Sequence, residues 1–142
     1  MNALSKTILG TIAGLISGMI TILLVERLQM VLLPPPSKAI DHGNQVEAAE
    51  MLKNVPAGLW FILILAYMVG SFVGGATSTL VARPLRSAAL CTGAVLSVMG
   101  MWNLLTLTHP AWFWITLIIY IPFALLGAGT VLRVDAKRQK TI

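Results

Sequence analysis

Four long apolar stretches, separated by short polar segments, dominate the hydropathy pattern of this chain. They cover residues 7–27, 56–82, 87–108 and 111–132. Each provides the stretch of about 20 apolar residues that a helix needs to cross a bilayer. Because the stretches are continuously apolar rather than alternating, they favour helices over the strands of a barrel. The pattern predicts an all-α membrane protein, a four-transmembrane-helix bundle that forms one integral membrane domain over 1–142.

The connection between the first and second spans is much longer than the other two. Residues 28–55 include three consecutive prolines at 34–36, which require extended backbone. Asn44 and Glu47 then have the spacing of a capping box, which predicts a short external helix at the membrane interface. The apolar run 28–33 has two interpretations, because it either prolongs the first helix or bends along the interface.

Composition agrees with a membrane class. The 142 residues are 57% hydrophobic and only 11% charged, whereas soluble domains carry about 25% charged residues. Little sequence remains outside the four spans, so we expect no separate soluble domain.

The chain has a net charge of +5, and its basic residues are distributed unevenly between the two predicted sides of the membrane. In a four-span arrangement one side carries Lys6, Arg83, Arg86, Arg133, Lys137, Arg138 and Lys140, and the other side carries Arg27, Lys38 and Lys53. This asymmetry predicts that both termini are cytoplasmic. The tryptophans Trp60, Trp102, Trp112 and Trp114 then all fall at the external interface. We expect no nucleic-acid partner. A contact of the basic tail 133–140 with anionic lipid is the alternative to a purely topological role.

Small residues recur at every fourth position within the spans. The candidate helix-packing residues are Gly10, Gly14, Gly18, Gly70, Gly74 and Gly93. Residues four apart lie on one helix face, and small ones allow two backbones to touch. This spacing favours packing within one chain, and self-association into a homo-oligomer is the alternative.

Polar chemistry is sparse and concentrated near the predicted outer surface. The centres of the spans contain no Asp, Glu, Lys, Arg or His, which argues against a proton-coupled pump. A candidate outer-face polar site combines Glu26, Asn103, His109 and His42, whose carboxylate, amide and imidazoles are suited to a cation or a polar headgroup. The alternative is that these residues simply end spans and turns.

No catalytic, metal-binding or cofactor-binding pattern is present in the sequence. Cys91 is the only cysteine, so one chain cannot form a disulfide or a thiolate metal site. No histidine lies at membrane depth to activate a serine, and no metal-ligand or phosphate-loop motif occurs. We therefore expect no catalytic residues, no metal and no cofactor.

Several short segments carry a family resemblance that spans nearly the whole chain. They are Leu24-Val25-Glu26 followed by Pro34-Pro35-Pro36, Gly70 with Gly74-Gly75 before an arginine turn, Asn103-Leu104-Leu105, and His109-Pro110-Ala111-Trp112-Phe113. Together they resemble a group of small four-helix bacterial inner-membrane proteins to which no activity is assigned. The resemblance implies the architecture and a bacterial inner membrane. The size is also similar to that of small multidrug transporters, but those carry a carboxylate in mid-span, where this chain has Gly14.

The sequence favours a non-enzymatic membrane bundle that binds lipid or a membrane-protein partner at its outer face, as an accessory or lipid-organising protein. The main alternative is a small oligomeric channel or transporter with Glu26 and Asn103 at its outer mouth. A membrane enzyme acting on a lipid or a quinone is the least favoured interpretation.

Overall fold

The computed structural model describes residues 2–32, 56–106 and 109–140. These residues form four α-helices and one short 3₁₀ helix. The elements in chain order are α1 (Ala3–Leu32), α2 (Ala57–Ala82), α3 (Ser87–Thr106), the 3₁₀ helix (Ala111–Ile115) and α4 (Thr116–Gln139). No strand occurs in these three ranges. Four helical segments are long and apolar enough to cross a membrane, the last of them running through the 3₁₀ turn. The prediction of an all-α chain with four candidate spans is confirmed.

The helix ends differ from the predicted span ends. α1 continues to Leu32, past the predicted end at 27, so 28–32 prolongs the helix rather than bending along the interface. Glu26 and Arg27 do not end the helix because both residue types are good helix formers. α4 likewise passes the predicted end at 132 and reaches Gln139. Its last turns are tied to α2 by an ion pair, in which Arg83 Nε lies 3.4 Å from Asp135 Oδ2.

The predicted external helix lies outside the described residues, together with its capping pair Asn44 and Glu47, the prolines 34–36 and His42.

α2 is the central helix of the bundle, since it packs against α1, α3 and α4, while α3 also contacts α1 and α4. The first turns of α1 and α3 meet where the hydroxyls of Thr7 and Ser87 lie 3.0 Å apart. We call this the basic end, because Lys6, the 83–86 turn and the C-terminus of α4 gather there. The opposite end is called the aromatic end.

Direct backbone contact joins α1 to α2 and α4 to α2. A methyl group added at Gly14 would lie 2.6 Å from the carbonyl oxygen of Gly74, and one at Gly18 would lie 2.9 Å from that of Gly70. On the other side of α2, a methyl group at Gly75 would collide with the backbone of Ala124. Such close approach replaces the hydrophobic driving force that lipid does not provide.

The six predicted packing glycines are all buried within the bundle. Gly10 lies against Ser78, Ala82 and Ala88. Gly93 of α3 lies against α4, where an added methyl group would be 2.9 Å from Ile121 Cα. These glycines therefore face neighbouring helices of the same chain.

Several buried hydroxyl groups in the bundle donate hydrogen bonds to carbonyls of their own helices. Ser71 donates to the carbonyl of Tyr67 at 2.7 Å, and Thr92 donates to that of Ala88 at 2.8 Å. This local bonding keeps hydroxyls acceptable in an apolar interior. Thr79 is different, because its hydroxyl is buried and has no hydrogen-bond partner among the described residues.

Candidate functional site

The aromatic end contains the apolar nucleus of the bundle, built from Trp60 of α2, Leu104 of α3 and Phe113. Phe113 is only 1% exposed, and its ring centroid lies 5.0 Å from that of Trp60 in an edge-to-face arrangement. Pro110 sets this position, since its carbonyl accepts a hydrogen bond from the Phe113 N–H at 2.9 Å. The tight 3₁₀ turn therefore directs Phe113 inward.

His109 belongs to this aromatic nucleus. Its ring stacks on Phe113, with centroids 5.2 Å apart and an interplanar angle of 10°. It also meets the edge of Trp60 at a centroid distance of 5.4 Å. The imidazole is thus held on two aromatic rings at the mouth of the bundle.

Glu26 faces the bundle interior because it continues the glycine stripe of α1. Ile22, one turn after Gly18, packs on Gly70 of α2. Glu26 follows one further turn along the same face and is half-buried. Since α1 extends six residues beyond it to Leu32, Glu26 lies about 9 Å below the end of the helix.

Two tyrosines interact with the Glu26 carboxyl group, one from α2 and one from α4. The phenol groups of both Tyr67 and Tyr120 interact electrostatically with Glu26. Their ring centroids are 5.6 Å apart. Gly100 of α3 leaves room for Tyr120, because a methyl group there would lie 2.8 Å from the tyrosine hydroxyl. All four helices therefore contribute to one locus.

This locus is called the acid–aromatic cluster and consists of Glu26, Tyr67, Tyr120, Trp60, His109 and Phe113. Tyr67 links its acidic and aromatic parts, since its ring centroid lies 6.2 Å from that of Phe113. The electrostatic interaction of Glu26 with both tyrosines therefore connects the carboxyl group to this group of aromatic rings.

In the part of the chain that the structure describes, no basic side chain forms an ion pair with Glu26. The ion pair found there joins Arg83 and Asp135. Arg27 interacts electrostatically with Glu26 but is exposed on another face of α1. A half-buried carboxylate without a paired cation costs free energy, so its presence favours a functional role over a purely structural one. The aromatic rings of the same cluster add further attraction for a cation.

Of the other predicted site residues, His109 belongs to the same cluster as Glu26, whereas no described contact joins Asn103 to it. Asn103 is exposed near the end of α3, and across the described ranges no hydrogen bond joins it to Glu26. Contacts between α1 and α3 occur near the basic end, where Thr11 donates to the carbonyl of Ala88 at 3.4 Å. His42 is outside the described residues.

Tyr67 and Tyr120 were not expected in the site from the sequence, where they are isolated hydroxyl-bearing residues within long spans. The available signal was the register 10, 14, 18, 22, 26 along α1, which places the carboxylate on the packed face. Among the described residues, no group of three or more His, Cys, Asp or Glu side chains is arranged to hold a metal.

Comparison with protein-family models, curated proteins and solved structures finds no match to this chain.

Proposed function

We propose that this chain is a non-enzymatic, multi-pass membrane protein that binds an organic ammonium group at the acid–aromatic cluster. The ligand class is a phospholipid whose headgroup carries an ammonium. The observation that carries the proposal is the half-buried Glu26 carboxyl group, which continues the packed face of α1, acts electrostatically on Tyr67 and Tyr120, and has no ion-pair partner within the described residues. A carboxylate together with aromatic faces is the chemistry that recognises ammonium groups.

The depth of the cluster favours a lipid headgroup over a free solute. Glu26 lies about 9 Å below the end of α1, close to headgroup level. Trp102, Trp112 and Trp114 are exposed at the same end of the bundle, and exposed indoles settle at the membrane interface. Lipid headgroups are therefore the most abundant ammonium groups at this height. A lysine of a partner membrane protein offers the same chemistry and is the second source.

The proposal places the protein in a bacterial inner membrane with both termini in the cytoplasm. The basic end carries Lys6, Arg83, Arg86, Arg133, Lys137, Arg138 and Lys140, and basic residues are retained on the cytoplasmic side. The acid–aromatic cluster then opens toward the outer face. The bacterial origin rests on the resemblance described above.

Binding is favoured over passage because backbone contacts close two of the helix interfaces below the cluster. Backbones touch where Gly14 meets Gly74 and where Gly75 meets Ala124. These contacts leave no room for a path between α1 and α2 or between α2 and α4 within one chain. A channel or transporter would therefore need several copies, and the exposed side chains of Trp102 and Asn103 are the surface that a neighbouring copy would use.

A fluorescence titration tests the proposal. Purified protein in detergent is titrated with a short-chain phospholipid that has an ethanolamine headgroup, and the tryptophan emission is recorded, since Trp60 lies in the cluster. We expect saturable binding that weakens at least about tenfold in Glu26→Gln. Asp135→Asn removes a carboxylate at the basic end, far from the cluster, and serves as the matched control. We expect this variant to bind the lipid as tightly as wild type. Equal affinity of wild type and Glu26→Gln would overturn the proposal.

A flux assay separates binding from transport. Purified protein is placed in liposomes, and the uptake of a small quaternary ammonium ion is followed. We expect no protein-dependent flux. Saturable uptake that is lost in Glu26→Gln would instead support the channel or transporter.

The non-enzymatic character is tested on the same material. Lipid recovered after long incubation with the protein is expected to keep its original mass. Conversion that depends on both Glu26 and His109 would support an enzyme.

A further inference from the structure

A second candidate site lies at the basic end, far from the acid–aromatic cluster. A cavity of about 340 Å³ opens there between α2, the turn that follows it, and one face of α4. Its lining residues are Phe72, Arg86, Leu125, Leu126, Gly129, Thr130 and Arg133. We call this cavity the arginine groove.

The arginine groove is charged at one end and apolar at the other. Arg86 and Arg133 lie near the membrane surface, whereas Leu125 lies eight residues deeper along α4, about 12 Å toward the bilayer centre. Phe72 forms the apolar wall on α2. Gly129 keeps the middle open, because a methyl group added there would meet no atom within 4 Å.

Among the described residues, no carboxylate neutralises the charges at the mouth of the groove. Within the described ranges, the acidic residue at the basic end is Asp135, and it forms an ion pair with Arg83. Arg86 and Arg133 form no ion pair with a carboxylate in the described ranges. Two guanidinium groups therefore face one opening without an acidic partner, which is an environment suited to a phosphate.

We propose that the arginine groove binds one anionic phospholipid from the leaflet on the basic side. Arg86 and Arg133 bind its phosphate, and an acyl chain lies along Phe72, Leu125 and Leu126. The occupant is chosen by two complementary features, a cationic mouth at headgroup height and an apolar channel directed to the bilayer centre. The arginine groove has the opposite charge to the acid–aromatic cluster and lies at the opposite end of the bundle. Its test is therefore independent of the test of the proposed function.

Native mass spectrometry of delipidated protein tests the arginine groove. The protein is mixed with dioleoyl phosphatidylglycerol, with dioleoyl phosphatidylcholine, or with inorganic phosphate, and the bound fractions are compared. We expect a one-to-one complex with the anionic lipid. The double variant Arg86→Gln/Arg133→Gln should bind it about thirtyfold more weakly, since it loses two headgroup charges.

The control variant Arg138→Gln/Lys140→Gln removes the same charge from the exposed end of the tail. We expect less than about a threefold loss there, because screened surface charges contribute little individually. A loss as large as that of the Arg86/Arg133 double variant would mean that only the general surface charge attracts lipid, and it would overturn the proposal.

Gly129→Leu tests the apolar part of the groove while retaining both arginines. The new side chain enters the open space beside Gly129, so we expect weaker binding of the dioleoyl lipid and an unchanged melting temperature. Unchanged lipid affinity in Gly129→Leu would contradict the proposal. Inorganic phosphate binding as tight as that of the lipid would also contradict it, because the acyl chain would then contribute nothing.

Discussion

The two halves of the bundle are packed by opposite kinds of residue. Toward the basic end the contacts are made by small residues such as Gly14, Gly75 and Ala124, whose backbones touch. Toward the aromatic end they are made by large rings such as Trp60 and Phe113, whose edges meet faces. The backbone contacts toward the basic end fix the distances between the helices. The region toward the aromatic end places polar side chains among large aromatic rings.

This difference in packing indicates which half of the bundle is suited to a binding site. Close backbone contact tolerates no inserted group, so the small-residue half is suited to holding the fold. The half packed by rings contains Glu26, a half-buried acidic residue without an ion-pair partner among the described residues, which is expected to cost stability. Residues kept against stability are those most directly explained by function.

The largest expected effect comes from enlarging a residue in the small-residue half. Gly75→Leu forces α2 away from α4, because even a methyl group there collides with Ala124. We expect destabilisation by at least about 3 kcal/mol, measured by unfolding in mixed micelles. Gly58→Ala is the control, since an added methyl group at Gly58 meets no atom within 4 Å. Equal stabilities of the two variants would show that the helices are not in backbone contact.

The second prediction concerns the half that contains the acid–aromatic cluster. Glu26→Gln replaces an unpaired carboxylate with a neutral amide of the same shape, so we expect the protein to gain roughly 1 kcal/mol in stability. The same substitution should weaken binding of the ammonium lipid at least about tenfold. Thermal unfolding and the fluorescence titration measure the two effects on one preparation. A loss of both stability and binding would indicate that Glu26 is a structural residue.

The third prediction separates the ring of Tyr120 from its hydroxyl. Tyr120→Leu removes an aromatic face beside Glu26 and should weaken ammonium binding by about 1 kcal/mol. Tyr120→Phe retains the face and should bind nearly as well as wild type. If both variants lose binding equally, the hydroxyl and not the ring is the recognition element.

The smallest expected effect lies in the small-residue half and concerns two buried threonines. The Thr79 hydroxyl is buried and has no hydrogen-bond partner within the described ranges, so Thr79→Val should be neutral or stabilising by up to about 1 kcal/mol. Thr92 donates to the Ala88 carbonyl at 2.8 Å, so Thr92→Val should destabilise slightly. Destabilisation by Thr79→Val beyond that of Thr92→Val would show that its hydroxyl has a partner.

Much of the architecture followed from the sequence because hydropathy directly reports which segments can lie in lipid. The four spans are such a case, and the structure has a helix in each of them. Helix ends were less predictable, as Leu32 and Gln139 show, because charged residues end a hydrophobic stretch without ending a helix.

The candidate site was only partly predictable, for a geometric reason. Glu26 could be chosen because a carboxylate near a span end is conspicuous in the sequence. Its neighbours Tyr67 and Tyr120 come from two other helices, and span hydropathy does not say which helix faces which. The expectation that Glu26 meets Asn103 assumed that α1 and α3 are close at the aromatic end, whereas their observed hydrogen bonds lie near the basic end.

Native mass spectrometry of protein gently extracted from its own membranes tests the central claim most directly. We expect a single copy that carries one phospholipid with an ammonium headgroup, and we expect Glu26→Gln to lose that lipid while keeping any anionic lipid held by Arg86 and Arg133. A discrete ring of copies without the ammonium lipid would contradict a binding role for the acid–aromatic cluster and would indicate an oligomeric channel.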